Sequence, residues 1–211
     1  MEILYEDRDA AVCVKPVGLD SEKEVPAALT EALGGDFFPI HRLDRNVGGV
    51  MVFARSRKAA ALLSAQVRER QFSKGYLAVV HGVPQPPAGQ LRDLLGRDSV
   101  RRVTFVADTP SAETREALLD YETLESSGSL SLVQVHLHTG RTHQIRVQFA
   151  SRGMPLWGDR KYGLPEEDAS PLALWACQLS FTHPQTGKEM AFTSLPPEIE
   201  PWTQFARIKH I

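Results

Sequence analysis

Three short segments of the chain concentrate residues that could carry out chemistry. They are H-R-L-D-R at 41–45, K-G-Y-L-A at 74–78 and G-R-T-H-Q-I-R at 140–146. Each places polar residues at the end of a predicted strand, where a rigid scaffold usually carries its functional side chains. In the first segment one carboxylate, Asp44, lies among cationic neighbours that favour its ionised form. An ionised, positioned carboxylate can act as a nucleophile or a base, although the same residues would also suit a solvated surface turn.

The sequence around these segments predicts the elements that would position them. An apolar run at 50–54 directly follows the first segment and predicts a buried strand, after which Ser56 would cap a helix reaching about Arg70. Other strands are predicted at residues 3–5, 11–14, 74–80, 113–124, 130–138, 172–182 and 188–194, and other helices at 26–33, from Thr142 to before Gly153, and around Trp202 and Phe205. Residues 81–110, with several prolines and glycines, predict loops and a short hairpin.

Composition bounds the class of protein. A chain of 211 residues with 42% hydrophobic and 24% charged residues is typical of one large globular domain or two small ones. It contains no apolar stretch long enough for a membrane span, and its acidic start lacks the apolar core of a signal peptide. Cys13 and Cys177 lie in apolar runs, which predicts buried free thiols and a cytoplasmic protein.

The charge is unevenly distributed along the chain. The net charge is −2, which by itself disfavours a polyanion partner. Residues 41–75, however, carry eight Lys or Arg against two Asp or Glu, and residues 138–163 carry five against one. Two basic segments on an acidic body could form a positive face, because a polyanion responds to the local field. Alternatively, these charges only solvate exposed surfaces.

Together the segments resemble the RluA family of RNA pseudouridine synthases, over nearly the whole chain. H-R-L-D-R followed about 100 residues later by G-R-T-H-Q-I-R is the most specific combination. The matching motifs are V-C-V-K-P-V-G-L (12–19), H-R-L-D-R with Gly49 (41–49), K-x-Y-x-A (74–78), G-R-T-H-Q-I-R-V (140–147), G-M-P-L-W-G-D-R-K-Y-G (153–163) and L-x-F-x-H-P-x-T-G (179–187).

The resemblance implies an α+β, pseudouridine-synthase-like fold: a mixed, mainly antiparallel central sheet with flanking helices and loops around an active-site cleft. It implies a single catalytic domain over residues 1–211, in which residues 81–110 form an insertion that is either RNA-facing or merely variable. Many relatives carry a small S4-like RNA-binding domain before the catalytic one. This chain starts at the first catalytic-domain strand, so target selection is expected to come from the catalytic domain's own loops.

The activity that the resemblance implies is isomerisation of uridine in RNA to pseudouridine. The C1′–N1 bond breaks, the uracil turns over, and C5 bonds to C1′. Asp44 matches the family's catalytic aspartate, which either attacks C1′ or takes the 2′ proton to form a glycal. Tyr76 matches a tyrosine whose ring can stack on the base and whose hydroxyl can serve the C5 proton. Arg146 matches the basic residue that pairs with the aspartate.

The remaining matches are RNA contacts. Arg42 matches the arginine that fills the space left by the flipped-out nucleotide. His41, Arg45 and Arg141 are assigned to supporting or phosphate contacts and to aiming the loop, and Ile145 is assigned to packing against the base. No cofactor is needed because substrate and product are isomers, and no metal is expected. The expected partner is ribosomal or transfer RNA, bound by a monomer.

One departure from the family pattern falls beside Asp44. Many relatives have Thr-Ser-Gly where this chain has Val47, Gly48 and Gly49. The missing hydroxyls could otherwise bond nearby backbone, so the two glycines predict a freer turn.

Three other classes of protein compete with this interpretation. His136, His138 and His143 could supply metal ligands, but no Asp or Glu cluster joins them in the sequence. A glycoside hydrolase needs two carboxylates, and Asp159 is the candidate partner of Asp44. A non-catalytic RNA-binding module of the same fold would retain RNA and form no pseudouridine.

Overall fold

The computed structural model describes residues 1–167 and 170–211. They form two compact units, residues 1–74 with 175–196 and residues 75–174 with 197–211. The sequence predicts that residues 1–211 act as a single catalytic domain, and this stays a prediction. No helix of the described residues is long and apolar enough to cross a membrane.

The part of the chain that the structure describes contains eleven strands and three α-helices. The strands are β1 (Glu2–Glu6), β2 (Ala10–Lys15), β3 (Phe38–Pro39), β4 (Gly48–Ala54), β5 (Ser73–His81), β6 (Ala88–Asp98), β7 (Val103–Ala107), β8 (Arg115–Ser127), β9 (Leu130–Leu137), β10 (Leu174–Thr182) and β11 (Glu189–Thr193). The helices are α1 (Glu24–Leu33), α2 (Arg57–Arg68) and α3 (Gln144–Ala150), with short 3-10 turns at Pro165–Glu167, Trp202–Gln204 and Ala206–His210.

The first unit is built on a mixed sheet in the order β1-β2-β4-β10, with β3 also on β4 and β11 on β10. The pairing of β4 with β10 is parallel and the others are antiparallel. Every residue of β4 is buried, as its continuous apolar run predicts. Helix α2 begins where predicted, because the Ser56 hydroxyl accepts the Ala59 N–H at 3.1 Å. Its residue Leu63 packs into the core with β4.

The second unit is an antiparallel sheet in the order β5-β9-β8-β6-β7. Helix α3 packs on one face, where Val147 contacts Leu95 and Ala117. Residues 81–110, predicted as loops and a short hairpin, instead contain the 11-residue strand β6, whose first eight residues pair with β8 and whose end pairs with β7. The mainly antiparallel pairing of the strands, together with the helices, confirms the α+β class.

The predicted cap of helix α3 is wrong. Thr142 does not cap it; the helix begins at Gln144, and His143 occupies the cap position with φ 55° and no capping side chain. A residue in the left-handed region turns the chain sharply into the helix, and the ring nitrogen of His143 is used elsewhere, on Tyr162.

Candidate active site

Asp44 lies in a tight turn between β3 and β4. Its carbonyl accepts the Val47 N–H at 2.9 Å, which closes the turn just before β4 begins. Leu43 and Val47 on either side are both buried, 7% and 2% exposed. The Leu43 carbonyl also accepts the Ser21 hydroxyl at 3.0 Å. Two buried apolar anchors and two hydrogen bonds therefore fix the backbone that carries the carboxylate.

The segment that follows β2 braces this turn from the other side. The Arg45 carbonyl accepts the Gly18 N–H at 2.8 Å, and the Arg45 side chain donates to the Gly18 carbonyl at 2.7 Å. The same guanidinium pairs with Glu24 at 2.8 Å. Sequence reasoning assigned Arg45 to RNA contact or loop aiming, and in the structure its contacts hold the loop.

Lys15 is a functional candidate that sequence reasoning passed over. Its side chain is fully buried, and its Nζ donates to the carbonyls of Pro16 at 2.9 Å and Arg45 at 3.2 Å. Burial, with a smaller contribution from the Arg45 charge, lowers the pKa of Lys15 to about 8, while the charge of Asp44 opposes that shift. The sequence signal for this residue was a lysine at the end of an apolar strand, in V-C-V-K-P. A lysine buried in such a place needs hydrogen-bond acceptors, and the two carbonyls provide them.

His41 and Arg42 behave differently although they are adjacent. His41 Nε2 accepts the Val52 N–H at 3.3 Å, and its ring meets the Phe72 ring edge-on. Burial, then the Lys74 charge, lowers the pKa of His41 to about 3. A neutral imidazole tied to β4 suits the supporting role rather than a phosphate contact. The Arg42 side chain is 59% exposed and pairs with Glu22 at 3.3 Å.

The two glycines after Asp44 do not form a free turn. They are the first residues of β4 and pair with Trp175 and Ala176 of β10. A Cβ on Gly48 would lie 2.8 Å from Cη2 and 2.9 Å from Cε3 of Trp175. Gly49 has φ 122°, and a Cβ there would lie 2.6 Å from the Ala176 nitrogen. The expectation of a freer turn is wrong, because the indole and the β10 backbone occupy the space of any side chain here.

In the second unit, Tyr76 lies in β5 and is 6% exposed. It stands opposite Val135 of β9, which in turn stands opposite Tyr121 of β8. Directly opposed residues point to the same face of a sheet, and Tyr121 meets Phe149 of α3 edge-on with ring centroids 5.7 Å apart. Tyr76 is therefore on the face that α3 covers.

Helix α3 carries Ile145 and Arg146, both nearly buried at 4% and 6% exposure. Arg146 donates from Nε and Nη2 to the two oxygens of Asp159, each at 2.7 Å. Burial would raise the pKa of Asp159, but the hydrogen bonds and charge of Arg146 outweigh it and hold that pKa below its ordinary value. Asp159 is thus an ionised carboxylate that orients the guanidinium, a role that sequence reasoning missed.

Tyr162 completes this cluster. Its ring lies under the Arg146 guanidinium, 5.3 Å from Cζ to the centroid. Its hydroxyl accepts the Thr104 N–H at 2.8 Å and lies 2.8 Å from His143 Nδ1. The motif G-D-R-K-Y-G was the signal for both Asp159 and Tyr162, but nothing in it indicated which distant residues they contact. Arg141 is exposed and donates from Nε to a β8 carbonyl, that of Glu116, at 2.9 Å.

The geometry bears on two of the competing classes. Asp159 is fully buried against Arg146, so it is not presented to a sugar as a second catalytic carboxylate. His138 pairs with Asp120 at 2.6 Å, and His143 contacts Tyr162. Across residues 1–167 and 170–211, no three His, Cys, Asp or Glu side chains are grouped to hold a metal ion.

Two solved structures that this fold resembles are those of human RNA pseudouridylate synthase domain-containing proteins. Human RNA pseudouridylate synthase domain containing 1 superposes with a TM-score of 0.82 at 26% identity, over 95% of this chain and 85% of that one. Human RNA pseudouridylate synthase domain containing 4 gives 0.78 at 25% identity, over 93% and 88%.

Sequence comparison gives the same class. An uncharacterised RNA pseudouridine synthase of Aquifex aeolicus is 37% identical over 94% of this chain and 70% of its own length. Residues 9–151 match the family described as RNA pseudouridylate synthase. The chain belongs to this family of isomerases, of the RluA type that its motifs indicate.

Proposed function

We propose that this protein converts uridine in structured RNA to pseudouridine, with Asp44 as the nucleophile. The observation that carries the proposal is the placement of Asp44 in a turn braced by buried anchors and backbone hydrogen bonds, in a chain of the pseudouridylate synthase family. Such a turn holds a carboxylate at a fixed position, which an attack on one ribose carbon requires.

The proposed reaction is balanced without any other reactant. A carboxylate oxygen of Asp44 bonds to C1′ as the C1′–N1 bond breaks, and the bonding pair leaves with the uracil. The uracil turns over, its C5 bonds to C1′, and the Asp44 ester breaks to regenerate the carboxylate. The C5 proton is then lost to a base and N1 gains one. Removal of the 2′ proton by Asp44 to give a glycal is the competing route from the same carboxylate.

Tyr76 and Arg146 support this proposal through their chemistry. Arg146 supplies a charge fixed in direction by Asp159, which suits a partner for an ionised carboxylate. Tyr76 supplies a ring that can stack on the uracil and a hydroxyl for the C5 proton. The proposal requires both to act on the nucleotide that Asp44 attacks. It also treats the two compact units as one catalytic domain.

The test is Asp44→Asn, measured by tritium release from RNA labelled with [5-³H]uridine. We expect release to fall by at least about 10³-fold, because loss of a nucleophile removes the chemical step. RNA affinity should stay within about tenfold, because backbone contacts elsewhere carry most of the binding.

A matched control is Asp36→Asn, which removes an exposed carboxylate a few residues earlier and should leave release unchanged. Normal release by Asp44→Asn would refute the assignment of Asp44. If the unaltered protein retains RNA but releases no tritium from any RNA, the non-catalytic binding module is correct instead.

Ribosomal or transfer RNA is the proposed substrate, acted on in the cytoplasm by a monomer. A target base must be turned out of its stack, which unpaired loops of structured RNA permit at low cost. Pseudouridine mapping of total RNA from cells with and without this gene identifies the RNA and the position.

A further inference from the structure

Five exposed cations lie on the second unit, on a hairpin and on the segment hydrogen-bonded to it, and none is among the residues assigned to the target nucleotide. Three belong to the end of the β6–β7 hairpin and two to the segment after α3. We call this group the basic arm. Its members are Arg97, Arg101, Arg102, Arg160 and Lys161.

The acidic residues interspersed with the arm are already committed to other contacts. Asp98 accepts the backbone N–H groups of Val100 and Arg101, each at 2.9 Å, and so builds the hairpin turn. Its ion pair with Arg101 is long, at 3.8 Å, with the Arg101 side chain 83% exposed, so it neutralises little. Asp159 is buried against Arg146. The arm therefore presents net positive charge to solvent.

The hairpin is also held in place. Lys161 Nζ donates to the Arg102 carbonyl at 2.6 Å, and the Thr104 N–H donates to the Tyr162 hydroxyl at 2.8 Å. The Lys161 N–H in turn donates to Asp159 at 2.9 Å. Contacts at both its strand and its tip tie the hairpin to residues 159–162, so its cations have a defined arrangement before any ligand binds.

We propose that the basic arm binds phosphates of the substrate RNA outside the target nucleotide. This rests on the proposed function, which makes RNA the polyanion that this protein meets. Clustered, exposed Arg and Lys side chains are the usual phosphate contacts, and preorganisation lowers the entropy lost on binding. The Pro- and Gly-rich segment 81–110 thus contributes an RNA-facing element rather than only a variable loop.

The arm shares its support with Arg146. Tyr162 receives the Thr104 N–H of the hairpin, contacts His143 before α3, and lies under the Arg146 guanidinium. Phosphates bound at the arm would thus be held in fixed register with α3. RNA bound at the hairpin would in this way be positioned relative to Arg146.

The test compares the variant R97Q/R101Q/R102Q with the unaltered protein in RNA binding and single-turnover kinetics at several salt concentrations. We expect Kd at 0.15 M salt to rise at least about tenfold and the slope of log K against log salt to shrink by about 2 to 3, near one per lost contact. The rate at saturating RNA should stay within about threefold. R160Q, which changes one side chain outside the hairpin, should shrink the slope by about 1.

The control variant neutralises three exposed cations elsewhere, Arg8, Lys188 and Lys209, by the same change to Gln. If the arm variant and R160Q match this control in Kd and slope, the proposal is overturned. It is also overturned if the rate at saturating RNA falls while Kd stays constant, because the hairpin then only positions α3. Binding without pseudouridine formation by the unaltered protein would refute the proposed function and leave the binding result intact.

Discussion

Replacing Gly48 by Ser, the residue that the family resemblance leads us to expect at this position, should destabilise the protein. The added Cβ would lie within 3 Å of the Trp175 ring, at 2.8 Å from Cη2 and 2.9 Å from Cε3. The indole cannot simply turn away, because it is 8% exposed and its Nε1 donates to the Ser194 carbonyl at 3.1 Å. Either the indole or the β4–β10 pairing must shift.

The expected magnitude follows from overpacking of a buried site. Inserting a side chain into a filled core costs about 1–3 kcal/mol. For a chain of this size, about 2–4 °C of melting temperature is lost per kcal/mol, so Tm should fall by about 2–12 °C. Strand β4 begins at Gly48, only four residues after Asp44. A shift of this strand end should therefore also move Asp44 and lower the rate of pseudouridine formation.

The assay is urea unfolding of a double-mutant cycle with Trp175→Leu, which removes most of the ring and by itself opens a cavity. If the steric argument is right, the double variant is less destabilised than the sum of the single changes by about 1–3 kcal/mol. Gly89→Ser is the matched control, because Gly89 also lies in a strand but its added Cβ would meet Tyr121 only at 3.4 Å. Strict additivity, or a Gly48→Ser protein as stable as the unaltered one, would refute the reasoning.

Two further predictions concern buried charge. Asp159→Asn should cost about 3 kcal/mol or more of unfolding free energy in urea, because it breaks a buried, two-pronged ion pair with Arg146; a cost below about 1 kcal/mol contradicts the importance of that pair. His41 has a folded-state pKa of about 3, compared with an ordinary value of 6.5. Between these values the unfolded chain binds a proton at His41 and the folded chain does not, so the free energy of unfolding decreases as pH falls from about 6.5 toward 3. Relative to His41→Gln, the unaltered protein should lose about 3 kcal/mol between pH 6.5 and pH 4; parallel stability curves would exclude this.

Local sequence determined most elements and their order. Ser56 caps α2, the continuous apolar run forms β4, and Gly34 ends α1, because each signal acts through neighbours within one or two turns of chain. The motifs around Asp44 and Arg146 also sufficed to identify the family, because the spacing of several short motifs along one chain is specific even when each alone is weak.

Tertiary structure alone decided which residues support those motifs. Trp175 lies over Gly48 because β10 pairs in parallel with β4, and Asp159 holds Arg146 because the chain after α3 returns to it. Lys15 is buried under the Asp44 turn for the same kind of reason. Such contacts join residues distant in sequence, so they depend on strand register and chain path. Composition and periodicity predict which residues are buried, but not which partners they meet.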